Sequence, residues 1–327
     1  MNLIREIDLL RKSAEKVKEY IRTIFEPDFV PSEIKVGIDS SLKGKEIGLI
    51  LSGGGARGIA HVGVLKILEE KGIKPAFIVG TSAGAIVGAF YAGGMNPDEI
   101  FNFYTIEDRV FKRLSLLKSI KPSRRSKILR GLLNKYMPVK NFEETEIPLF
   151  INTVDIKSCK RVVFSKGEII PAILGSSAIP FVFEPVEFGK MLLLDGGVFD
   201  LFGVDIARAV NKSFFLNRLN LVISDVSGLT DKSSSSKLQS IILNVSREVI
   251  DITKYLGRKK YDLKDKNDVI PIINNLIYLL KKRPPLFPEI TEREYLLTPQ
   301  LEGMRMFDFK DYKKAFLRGI EAVIFIS

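Results

Sequence analysis

The chain has 327 residues, 46% of them apolar, enough to bury a large core as one α/β domain with an attached segment or as two domains. A single cysteine, Cys159, and a single histidine, His61, exclude an intrachain disulfide and a Cys/His zinc cluster. No apolar run reaches the roughly 18 residues of a membrane span, and the mixed charges at the start are not those of a secretory leader. A soluble cytoplasmic protein is expected, with peripheral contact to an anionic surface suggested by 50 Lys and Arg against 39 Asp and Glu, a net charge of +11.

In chain order, Leu3, Ile7, Leu10, Ala14, Val17, Ile21 and Ile24 form a narrow heptad seam on a first helix. That seam suits self-association or packing on its own domain. Pro27 and Pro31 end it, and a connector runs to Lys43. Ile47 to Leu51 reads as a buried strand, Gly53 to Gly58 as a glycine loop and Ile59 to Lys71 as a helix. Pro75 to Val79 reads as a strand, and Ala85 to Ala92 as a small-residue helix. This alternation predicts a parallel sheet with helices on both faces.

Pro97 and Asp98 open a further helix. From Phe111 to Lys140 there are ten Lys or Arg and no Asp or Glu, with Ile128, Leu129, Leu132, Leu133 and Tyr136 at helical spacing. Such a helix either lies on a membrane surface, with its cations on headgroups, or packs its apolar face on the core. Pro148 to Asp155 and Arg161 to Ser165 read as a strand pair, Glu168 to Ala178 as a short helix and Met191 to Leu194 as a buried strand. Val204 to Val210 reads as a helix and Asn220 to Asp225 as the last strand. Beyond Ser227 come a polar run, Ser233 to Ser236, a helix over Leu238 to Leu256, a charged stretch over Tyr261 to Asp268, and a final amphipathic helix over Phe309 to Ala322.

Three elements carry the chemistry. Gly80-Thr81-Ser82-Ala83-Gly84 reads G-x-S-x-G, and between a strand and a helix it places Ser82 on a sharp turn with its hydroxyl above the sheet edge. Gly53-Gly54-Gly55-Ala56-Arg57-Gly58 also satisfies the dinucleotide fingerprint G-x-G-x-x-G. That fingerprint requires a carboxylate at the end of the next strand, and here that strand ends in Gly80-Thr81-Ser82. The remaining use of the glycine loop is an oxyanion hole, with the N–H groups of Gly54, Gly55 and Arg57 as donors and the Arg57 side chain bracing the loop.

Asp195 follows Leu192-Leu193-Leu194 at a strand's end, and Gly196-Gly197 permit a tight turn after it. A turn aspartate bonding its own backbone is the ordinary alternative. His61 sits in the first turn of the helix behind the glycine loop, an unsuitable place for a triad base. Asp195 is then the group left to take the Ser82 proton, and partial burial would raise its pKa toward that task.

These motifs, with Gly63-Val64-Leu65 between the first two, stand in the order and spacing of the patatin-like phospholipases. The chain resembles the bacterial branch related to the catalytic domain of neuropathy target esterase, over about residues 45 to 227. The resemblance implies a three-layer α/β/α fold with a mostly parallel central sheet. It implies a Ser-Asp dyad hydrolase of phospholipid or lysophospholipid acyl esters, with Ser82 as nucleophile, Asp195 as base, the glycine loop as oxyanion hole, and no metal or cofactor. One departure stands out. The family runs from Asp-Gly-Gly to an Asn-x-Pro segment, but here the chain reads Val198-Phe199-Asp200-Leu201-Phe202-Gly203.

The expected organisation is an N-terminal helix and connector over 1–44, the catalytic core over 45–227 and a mainly helical segment over 228–327. The expected partners are the lipid substrate and an anionic membrane through residues 111–140, not nucleic acid, with self-association through the first helix left open. A non-catalytic lipid-binding or regulatory protein of this fold and a small-acyl esterase or thioesterase are the alternatives.

Overall fold

The computed structural model describes residues 38–39, 42–114, 120–180, 182–228, 275, 278–279 and 288–326, the last stretch apart from positions 305, 308 and 324. The heptad seam, the polar run, the helix expected over 238–256 and the charged stretch after it lie outside these residues.

The first half of the fold runs β1 (Ile38–Asp39), β2 (Glu46–Leu51), α1 (Ile59–Glu70), β3 (Lys74–Thr81), α2 (Ala83–Ala92), α3 (Pro97–Ile106), α4 (Asp108–Leu114) and α5 (Pro122–Tyr136). The second runs β4 (Leu149–Asp155), β5 (Lys160–Phe164), α6 (Ile169–Ser176), β6 (Val186–Phe188), β7 (Met191–Asp195), α7 (Val204–Phe215), β8 (Asn220–Ser224), β9 (Glu294–Leu297), α8 (Tyr312–Glu321) and β10 (Phe325–Ile326). The main sheet has the order β6-β7-β4-β3-β2-β8-β9, with β5 paired to β4. The four steps from β4 to β9 are parallel, and the pairings among β4, β5, β6 and β7 are antiparallel.

The central strands are apolar on both sides, as strands covered on two faces must be. Leu49 and Leu51 of β2 and Ile78 of β3 point into one core, which α1, α2, α3, α5, α6 and α8 cover. Ile50, Phe77 and Val79, alternate with these, point into the opposite core, covered by α7 through Val204, Ala207 and Val210. This is the three-layer α/β/α arrangement. The start of α3 is fixed by a capping box, in which Asn96 and Glu99 exchange side-chain-to-backbone hydrogen bonds ahead of Pro97.

Three sequence expectations change. β7 runs antiparallel to β4, so Asp195 does not reach the site from a parallel neighbour. Asn220–Ser224 is not the last strand, because Glu294–Leu297 pairs alongside it in parallel and extends the sheet. Within the described residues the C-terminal segment therefore contributes a strand as well as a helix. Of the two uses foreseen for the apolar face of α5, packing is the one observed: Leu129, Leu132 and Leu133 are buried in the protein's own core. Among the described residues no helix is long and apolar enough to cross a membrane.

Helix α8 closes on α1 through two glycines. A β-carbon on Gly63 would lie 2.1 Å from the Phe316 carbonyl oxygen, and one on Gly319 would lie 1.9 Å from that of Ala60. Backbone cannot yield as a side-chain end can, so Gly63→Ala is expected to cost about 2–3 kcal/mol. Thermal or urea denaturation of the variant measures it, and an unchanged midpoint would contradict this packing.

Candidate active site

Residues on β4 organise the site. Its edge opposite β5 is shared by two strands. β3 occupies it in parallel as far as Thr81, opposite Asn152, and β7 occupies it from the other direction, ending at Asp195 opposite Thr153. The C-terminal ends of β3 and β7 thus meet head to head, and the residue after Thr81 is Ser82.

Ser82 has φ 53° and ψ −117°, a left-handed conformation that costs a non-glycine residue on the order of 1–3 kcal/mol. Its surroundings enforce that turn. Its N–H donates to Ser176 Oγ at 2.9 Å, and Ser176 Oγ donates to the Asn152 carbonyl at 2.7 Å. Ala85 N–H returns to the Ser82 carbonyl at 3.0 Å to start α2. The flanking glycines are there for proximity. A β-carbon on Gly84 would lie 2.1 Å from the Leu51 carbonyl, and one on Gly80 would lie 2.7 Å from Ala85 Cα.

Asp195 is buried, with 4% of its surface exposed. Its Oδ1 accepts from Gly197 N–H at 2.7 Å, whereas Oδ2 is buried and takes no hydrogen bond. Burial pushes the carboxyl up to about 7, against the opposing pull of the Ser82 hydroxyl and the Gly197 N–H. The hydroxyl is thus near enough to act on the carboxyl's charge without forming a closed hydrogen bond to it.

The glycine loop lies against the elbow. A β-carbon on Gly53 would approach Ser82 Cβ to 3.3 Å, and one on Gly58 would approach Ala83 Cβ to 2.5 Å. Gly55 has φ 61° and lies so close to the Met306 carbonyl that a β-carbon would come within 2.2 Å of it. Among the described residues neither Gly54 nor Gly55 donates its N–H to a protein acceptor. Arg57 N–H does, to the Gly54 carbonyl at 3.3 Å, so it is spent on the turn and is not a free donor. The Arg57 side chain is buried and bonds the Ser227 carbonyl, bracing the loop as foreseen.

Residues 49–208 match the family model of the patatin-like phospholipases. This core is similar to the patatin-like phospholipases. An uncharacterized NTE family protein of Mycobacterium tuberculosis is 36% identical over 173 residues, which cover 52% of this chain and 47% of that protein. Lysophospholipase NTE1 of Candida albicans is 30% identical over 205 residues, covering 58% of this chain and 15% of that protein. The chain thus spans less than half the length of these relatives. The crystal structure of VipD from Legionella pneumophila aligns with a TM-score of 0.42 at 14% identity, over 85% of this chain and 66% of that one.

The segment that replaces the family's Asn-x-Pro is held by other means. Asp200 accepts from Phe202 N–H at 3.0 Å and Gly203 N–H at 3.1 Å, and it pairs with Arg161 of β5 at 3.1 Å. Asn152 Nδ2 donates to the Asp200 carbonyl at 2.8 Å, and Gly53 N–H donates to the Leu201 carbonyl at 3.0 Å. The Asp195 turn is thereby tied both to β4 and to the glycine loop. Asn152, Ser176 and Asp200 were not singled out from the sequence, since none belongs to a local motif.

His61 is fully buried between two strand ends. Its Nε2–H donates to the Ser52 carbonyl at 2.9 Å, which leaves Nδ1 to accept from Ser224 Oγ at 2.8 Å. Burial lowers its pKa to about 4, so the ring is neutral at physiological pH. It cross-links the ends of β2 and β8 behind the glycine loop, with both nitrogens occupied.

Asp195 makes a stability prediction. Its pKa is about 7 folded against an ordinary 3.8, so between those values the folded state holds a proton that the unfolded state has lost. Stability contributed by this site therefore falls as pH rises from about 4 to about 7. Asp195→Asn removes that penalty and is expected to be more stable than the wild type at pH 8 by about 2–4 kcal/mol, the gain vanishing near pH 4. Urea denaturation at the two pH values checks it, and equal stability of the two proteins at pH 8 would refute the buried-carboxylate account.

Proposed function

We propose that the chain is a serine lipid acyl hydrolase of the phospholipase or lysophospholipase type, working through a Ser82–Asp195 dyad. One observation carries the reading: a serine in the strained elbow conformation faces a buried carboxylate that has one unbonded oxygen and a pKa raised to about 7. The family that the core resembles and the lysophospholipase relatives support a lipid ester as substrate.

Asp195 Oδ2 takes the Ser82 proton as Oγ attacks the ester carbonyl carbon. The carbonyl oxygen becomes an oxyanion that the N–H groups of Gly54 and Gly55 receive, where each such donor is typically worth ~3 kcal/mol. Collapse expels the alcohol, which leaves with the proton held by Asp195, and an acyl-enzyme remains. Water then gives its proton to Asp195 and attacks the acyl carbon. The fatty acid departs and the proton returns to Ser82.

An aspartate at its ordinary pKa is a poor base, and burial is what brings this one near the working pH. Only the ionised carboxylate accepts a proton, so kcat/KM is expected to rise with pH through about 7 and then level off. Ser82→Ala and Asp195→Asn are each expected to lower kcat roughly a thousandfold or more. His61→Gln, if folded, keeps the same pH midpoint. Covalent labelling by a fluorophosphonate probe should vanish in Ser82→Ala, and its persistence there would refute the nucleophile assignment. A series of acyl chain lengths separates a lipid hydrolase from a small-acyl esterase, which would favour the shortest esters.

A further inference from the structure

Helix α5 and its N-cap carry four exposed cations, Lys121, Arg124, Lys127 and Arg130, one at every third residue. None of the four forms an ion pair among the described residues, whereas Lys135 near the end of the same helix pairs with Glu107 at 2.9 Å. The opposite face of α5 is fixed in the core, so the stripe stays turned to solvent. Beside it lies an open cavity of about 850 Å³. Arg124, Lys127 and Arg130 line it from α5, while Leu174, Phe183 and Val186 supply apolar surface. Its carboxylates, Glu184 and Glu187, come from the β6 side.

The N-terminal half of α5 is fastened to the segment that follows α6. Arg125 Nη1 donates to the Val182 carbonyl at 2.8 Å, and Glu184 N–H donates to Ser126 Oγ at 2.9 Å. Upstream, the Ala178 carbonyl accepts from Asp195 N–H at 3.1 Å, and Ser176 holds the Ser82 N–H. Ser176 and Ala178 are thus bonded to the two members of the dyad, and Val182 and Glu184 to α5.

We infer that α5 is the docking face for an anionic lipid surface, and that docking there acts on the catalytic pair through the bonds of Ser176, Ala178, Val182 and Glu184; this rests on the lipid-hydrolase reading and names where that enzyme meets its substrate. Phosphates on the bilayer surface neutralise the unpaired stripe. Glyceryl and upper acyl carbons fill the apolar side of the cavity, for which the sugar–phosphate backbone of a nucleic acid has no use. The helix does not insert, because its apolar face is already buried.

The test uses full-length Ser82→Ala protein, so that vesicles stay intact, in flotation with phosphatidylcholine vesicles and with vesicles containing about a third phosphatidylglycerol. Binding is expected only to the anionic vesicles and is expected to weaken with salt. Charge reversal by Arg124→Glu, Lys127→Glu and Arg130→Glu together should reduce binding roughly a hundredfold. The control triple Lys212→Glu, Lys313→Glu and Lys314→Glu, with the same net charge, should cost far less. On the Ser82 background the α5 triple should keep hydrolysis of a soluble monomeric ester within about twofold while losing hydrolysis in anionic vesicles.

Equal binding to both vesicle types, or equal loss in both triples, overturns the inference, as does salt-sensitive capture of RNA without capture of vesicles. Monomeric ester hydrolysis distinguishes the two failures. If it persists while vesicle binding is absent, the docking inference falls and the hydrolase stands. If it is absent while binding persists, the hydrolase reading falls.

Discussion

Strand β4 offers one edge to two partners, and β3 leaves it after Thr81. The rest of that edge is open from Thr153 onward, and β7 fills it running the other way. Whatever follows β3 must therefore meet whatever ends β7. The chain puts Ser82 at one of these points and Asp195 at the other. The strained Ser82 backbone and the buried Asp195 carboxyl both follow from this meeting, because a smooth continuation of either strand would run into the other. Strain and burial each cost stability, and the surrounding bonds offset them. Ser176 grips the elbow, Gly197 grips the carboxyl and Asn152 ties Thr81 to the Asp200 turn.

In the proposed mechanism, that geometry lets a serine hydrolase site operate without a histidine base. A histidine relay separates the nucleophile from the buried acid and titrates near neutrality by itself. Here the acid titrates near neutrality because it is buried and half-bonded. The one histidine of the chain is used differently. It is neutral, it joins the ends of β2 and β8, and it holds the glycine loop from behind. Its depressed pKa and the raised pKa of Asp195 have the same cause, removal of a charge from water, acting on groups of opposite sign.

Much of this was legible in residue types, for a physical reason. A turn on which a β-carbon would come within 2.1 Å of the Leu51 carbonyl tolerates only glycine at Gly84, and a left-handed residue backed by a methionine carbonyl does the same at Gly55, so the motifs are sequence traces of close approach. The buried strands announced themselves as apolar runs. The direction of β7 did not, since an apolar run reads the same both ways. β9 escaped because the four residues Glu294 to Leu297 carry too little periodicity. The occupation of Arg57 N–H depends on how the loop coils, and the grip of Ser176 on Ser82 spans 94 residues of sequence, so neither can be read from local pattern. The Asn-x-Pro departure looked like a loss, and only the packing reveals Asp200 and Arg161 in its place.

The C-terminal stretch belongs to the site as firmly as the motifs do. β9 extends the sheet beside β8, and the Leu297 carbonyl accepts from Asp225 N–H at 2.8 Å. That bond anchors the segment whose Ser227 carbonyl receives the Arg57 side chain. The Met306 carbonyl accepts from Ala56 N–H at 2.6 Å and walls the glycine loop from outside. Helix α8 then presses on α1, whose N-terminus begins where that loop ends. A loop of consecutive glycines has little stiffness of its own, since each glycine loses more backbone freedom on folding than any other residue. Donors aimed at a developing charge are effective only when they are already in place. Residues 294–321 therefore supply the rigidity that the loop's composition lacks, and the smallest unit that holds this site in order is larger than the matched core of 49–208.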